Sequence, residues 1–153
     1  MDKATQIEPV SNSEASQPYA KWLWLCSSLF AFRVVAQLMA LLFKPSFLPT
    51  FGSWHGGVLP YPLLLSTQIL IFIWLAWTAW QFSRSSVRPR HSLGIVITLF
   101  ASLYFLVMLL RLLLGLTILS NQRWFASYLP AFFHLILASY LLLYGHFHFR
   151  HGK

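Results

Sequence analysis

Polar and apolar residues along this chain are segregated into four long apolar runs, at about 22–43, 59–82, 92–119 and 124–147, with short polar breaks between them. Each run meets or exceeds the ~20 residues that a helix needs to cross the hydrocarbon core of a bilayer. The pattern therefore predicts four transmembrane helices, not the half-polar helices of a soluble core. The breaks have the chemistry of turns: residues 44–58 hold Pro45, Pro49, Gly52, Trp54, His55, Gly56 and Gly57, residues 83–91 hold Arg84, Arg88, Pro89 and Arg90, and residues 120–123 are a tight link. The stretch from Trp54 to Gln68 is where a polar turn feeds directly into a lipid-soluble helix, with Pro60 and Pro62 pinning its start.

Residues 1–19 are polar, contain all three acids (Asp2, Glu8 and Glu14) and show no hydrophobic periodicity, so a disordered cytoplasmic tail is expected there. Residues 20–149 then form a single four-span domain, and residues 150–153 a basic tail. The acidic lead and the absence of a small-residue cleavage site argue against a secretory signal. The fold expected is all-α: an integral membrane four-helix bundle with up-down topology.

Composition strengthens the membrane reading. Hydrophobic residues make up 58% and charged residues 9%, against about 45–50% and about 25% in soluble domains. The net charge of +8 would suggest nucleic acid if it formed a stripe, but the basic residues are scattered between apolar runs. They act instead as topological markers, because Lys and Arg flanking the spans stay on the cytoplasmic side. Lys3, Lys21, Arg84, Arg88, Arg90, Arg150 and Lys153 lie on one side, against Lys44 and Arg123 on the other. Both termini are thus expected in the cytoplasm, and the protein as a multi-pass component of a bacterial-type plasma (inner) membrane. Cys26 is the only cysteine, which excludes an intrachain disulfide.

Candidate chemistry comes from the few polar residues inside the runs. The first carries Arg33 and Gln37, one helical turn apart; the second Gln68; the third Arg111; the fourth His134. Measured from the outer ends, four of them fall roughly 12–15 Å deep at ~1.5 Å of rise per residue, with Gln37 one turn shallower. Tyr61 and His55 stand near the outer mouth. An arginine at mid-membrane costs about 2.5–3.5 kcal/mol on insertion scales, and no run contains an acid to balance either one.

Three functions satisfy that imbalance. In the first, Arg33, Gln37, Gln68, Arg111 and His134, with His55 and Tyr61 at the mouth, bind an anionic or carbonyl-bearing amphiphile such as a lipid headgroup or quinone. In the second, the chain is an accessory or assembly subunit whose arginines pair with acids of a larger membrane complex, a homo-oligomer being the other assembly considered. In the third, His134 ligates haem and the arginines meet its propionates. The bland alternative is that the same side chains fasten the helices to one another, since hydrophobicity cannot drive association within lipid.

Catalysis is not favoured. There is no intramembrane carboxylate, no cysteine pair, no Gly-rich phosphate loop and no His-Glu-x-x-His zinc motif. His146, His148 and His151 are too loosely spaced, without thiol or carboxylate, to suggest a metal site. Membrane lipids are the expected surroundings and nucleic acid is excluded as a partner.

Overall fold

The computed structural model describes residues 8–48, 60–117 and 128–152. These form four helices: α1 (Glu8–Leu42), α2 (Tyr61–Ser83), α3 (His91–Leu116) and α4 (Tyr128–His151). All four are long and apolar enough to cross a membrane. The outward faces are covered with large apolar side chains, as along α3 at Val96, Leu99, Leu103, Leu106, Leu110 and Leu113. Such a surface suits hydrocarbon and would be an aggregation hazard in water.

Two boundaries differ from the sequence expectation. α1 starts at Glu8, so helical backbone runs into the stretch expected to be a disordered tail. From its third turn onward α1 is tied to the end of α2 and the link after it: Ser16 Oγ meets Ser85 Oγ at 2.9 Å, Gln17 Nε2 donates to the Ser83 carbonyl at 3.2 Å, and Trp24 Nε1 donates to Ser83 Oγ at 3.0 Å. Polar partners replaced the apolar periodicity that a sequence reading looks for. At the other end α4 continues to His151, past the expected end at 147 and two residues into the expected basic tail.

Buried positions on α1 (Ser16, Ala20, Leu23, Ser27, Phe30, Arg33, Gln37, Ala40) recur every three or four residues, the seam spacing of coiled-coil packing. That seam faces α2 and α4. α2 opens with Pro60 at its cap and a proline in its first turn, and closes at Ser83. The chain turns through Ser85, a non-glycine residue at φ 53°.

α3 packs chiefly on α4, and small residues set that contact. Gly94, Ala101 and Gly115 are buried on α3, Ala131, Ala138 and Gly145 on α4, and Gly152 just past the end of α4. The α4 series falls every seven residues, and the α3 series keeps the same frame with Met108 at its third place. The approach is close enough that a Cβ on Gly94 would sit 2.2 Å from the Phe149 backbone nitrogen, and one on Gly145 2.7 Å from Thr98 Oγ1. Small residues permit this approach where lipid supplies no other drive.

α2 and α4 meet through an aromatic cluster in which Phe82 and Phe147 pack edge to face at 4.7 Å between centroids. Tyr140, fully buried, donates its hydroxyl to the Leu75 carbonyl at 2.8 Å. Tyr140→Phe keeps the ring and deletes that bond, so a stability loss of about 0.6–1 kcal/mol is expected. Unfolding in mild detergent checks it, and an unchanged transition would show that the hydroxyl contributes nothing.

Candidate functional site

The polar residues singled out in the sequence come together in two linked groups. The first lies between α1 and α2, where Gln68 Nε2 donates to Gln37 Oε1 at 3.3 Å. Gln37 is 0% exposed and Gln68 3%. Gln68 therefore pairs at the level of Gln37, one turn beyond Arg33 along α1, and not at the level of Arg33 itself. The pairing leaves Gln37 Nε2 and Gln68 Oε1 buried with no hydrogen-bond partner among the described residues. Rotating both amides reverses the bond and leaves Gln37 Oε1 and Gln68 Nε2 over instead, so one donor and one acceptor remain in either case.

The second group joins α1, α3 and α4. Arg33 and Arg111 are both buried, 6% and 8% exposed. Arg33 lies over the Phe133 ring at 5.4 Å, a cation–π contact that compensates part of the loss of hydration. Its Nε is buried and has no hydrogen-bond partner among the described residues. Both guanidiniums are close enough to Tyr104 and His134 for their charge to be felt there. Tyr104 and His134 are bound to each other, hydroxyl oxygen to Nδ1, at 2.6 Å.

Tyr104 was missed as a member of the site, and its signal was present: it precedes Arg111 by two helical turns, on the same face of α3. Tyr61 stands in the first turn of α2 with its hydroxyl oxygen buried, about two turns from Gln68. His55 falls outside the described residues.

The three histidines near the end of α4 diverge. His146 is exposed near the Tyr19 ring at 6.2 Å, His148 Nδ1 accepts from the Arg90 backbone N–H at 3.1 Å, and His151 Nδ1 lies 3.1 Å from the Phe147 carbonyl. His148 is only 2% exposed although the sequence placed it in a tail. It clasps the start of α3, and accepting at Nδ1 puts its proton on Nε2.

No carboxylate of the chain lies within α2, α3 or α4; the acids are at positions 2, 8 and 14. Glu14 and Arg33 are 19 positions apart on α1, ~28 Å of helix at 1.5 Å per residue. The arrangement is thus two guanidiniums, a Tyr–His pair and an incompletely satisfied Gln pair, enclosed by helices able to span a membrane. Chemically it can hold oxygen atoms that carry negative charge, and it can give or take a proton at the Tyr104–His134 link. Comparison with protein-family profiles, curated proteins and solved structures yields no match to this chain.

Proposed function

We propose that this is a multi-pass protein of a bacterial-type plasma membrane that binds an anionic or carbonyl-bearing amphiphile at the Arg33–Gln37–Gln68–Arg111–His134 site. The observation that carries the reading is a set of unspent donors within one turn of α1: Arg33 Nε and one amide N–H of the Gln37–Gln68 pair are buried without an acceptor among the described residues. Each buried group left unsatisfied costs about 1–3 kcal/mol. A headgroup oxygen placed between them, with the Arg111 guanidinium opposite, offsets both costs and balances charge. Tyr104 and His134 then orient a second oxygen or exchange a proton with it.

The basic flanks support an up-down bundle with both termini in the cytoplasm, seven residues against two. This orientation places the mouth near Tyr61 and His55 on the outer side.

The test is ligand retention. The protein is purified in mild detergent, and co-purifying molecules are identified by native mass spectrometry for the wild type, Arg33→Gln and Arg111→Gln. One amphiphile with a carboxylate, phosphate or carbonyl head is expected on the wild type, falling tenfold or more in both variants. Equal retention in all three proteins overturns the reading. A stoichiometric partner protein lost in the same variants would transfer the arginines to an accessory-subunit role, and a Soret band would transfer His134 to haem.

A further inference from the structure

On α4 the polar site and a separate groove lie on either side of the line that faces α3. Ala138 is on that line; His134, four residues before it, and Leu142, four after, fall to opposite sides at 100° per residue. The Leu142 side forms a groove of about 580 Å³ between α1, α3 and α4, within the ~300–1,000 Å³ typical of ligand sites. Trp22, Leu25 and Leu142 give it apolar walls, and Thr98, whose Oγ1 is buried without a hydrogen-bond partner, stands in its α3 wall.

The end of the groove nearest the start of α1 is cationic. His146 lines it, Arg150 lies one turn further along the same strip of α4 and is exposed, and Lys21, also exposed, immediately precedes Trp22 on α1. Of the three helices that line the groove only α1 carries acids, Glu8 and Glu14, and the nearer of them in sequence lies seven residues before Lys21. An apolar slot at acyl-chain depth with a basic rim at its water end is complementary to one molecule class: a phospholipid whose chain lies in the slot and whose phosphate meets the rim.

We infer that this groove is a specific site for an anionic phospholipid, with one acyl chain along Leu25, Cys26 and Leu142 and its headgroup at Lys21, His146 and Arg150. The site is independent of the arginine layer and stands whether or not that layer binds a ligand. Bound there, the lipid also bridges α1 and α3 across the flank of α4.

The full chain in detergent, mixed with equal phosphatidylglycerol and phosphatidylcholine, is measured by native mass spectrometry. The wild type is expected to keep one phosphatidylglycerol in clear preference. Lys21→Gln and Arg150→Gln, both at exposed positions, should each reduce that preference roughly fivefold, the increment of one basic residue near a membrane surface. Leu142→Trp fills the slot and should lower retention of both lipids. Because that variant could fold poorly, phosphatidylglycerol with a diazirine in its chain is photolysed on the wild type; labels on Leu25, Cys26 or Leu142 support the site. Equal retention of the two lipids by the wild type, or labels confined to other faces, overturns the inference.

Discussion

Gly94→Val is expected to detach α3 from α4 and leave little folded monomer. A Cβ at position 94 would meet three backbone atoms of His148 and Phe149 at 2.2–2.6 Å, so no rotamer change in a neighbour relieves the clash. The helices would have to separate by more than an ångström, which also breaks the Arg90 N–H bond to His148 and the 4.9 Å stacking of His91 on Phe149. Ordinary overpacking costs about 1–3 kcal/mol, and this change should exceed it because backbone opposes backbone. Size-exclusion profiles and thermal melts in detergent check the outcome. Gly145→Val, whose nearest obstacle is the Thr98 hydroxyl at 2.7 Å, should be milder. If both variants behave as wild type, the close approach of α3 and α4 is wrong.

The second large effect concerns the glutamines. Gln68→Leu removes the donor to Gln37 and leaves a fully buried amide with neither bond. A loss of about 1–3 kcal/mol is expected. Gln37→Leu should cost a similar amount from the other side. The double variant removes both polar groups together and should recover much of the loss, since replacing both partners by apolar groups is nearly neutral. The same double variant should weaken ligand retention, which separates the two roles: stability returns while binding does not. Additive losses in the double variant would show that the amides do not interact.

The helices were legible in the sequence because lipid demands long uninterrupted apolar runs. The meeting of Arg33, Arg111 and His134 was legible from depth alone, given four rods of known rise per residue. Tyr104 shares a helix face with Arg111 in the sequence, but depth and face on one helix do not show which neighbour that face meets. It is one of six tyrosines, and only the geometry of α3 against α4 turns it toward His134. Helix ends were legible only where prolines marked them, as at Pro60 and Pro62. The early part of α1 is tied down where Ser16, Gln17 and Trp24 reach polar partners, contacts that have no periodicity to read. The seven-residue recurrence of Ala131, Ala138, Gly145 and Gly152 was open to inspection, but small residues attract little notice beside tryptophans and arginines.

That α3 leans almost wholly on α4 bears on how the chain is made. α3 leaves the ribosome first, carrying Arg111 into an environment where its principal neighbour has yet to be synthesised. A guanidinium released alone into hydrocarbon would meet the full insertion penalty, whereas one held back until the next segment emerges gains His134 of α4 beside the Tyr104 of its own helix. The packing therefore favours insertion of the last two segments as a joined hairpin, with the Arg84–Arg90 turn anchoring them while they wait.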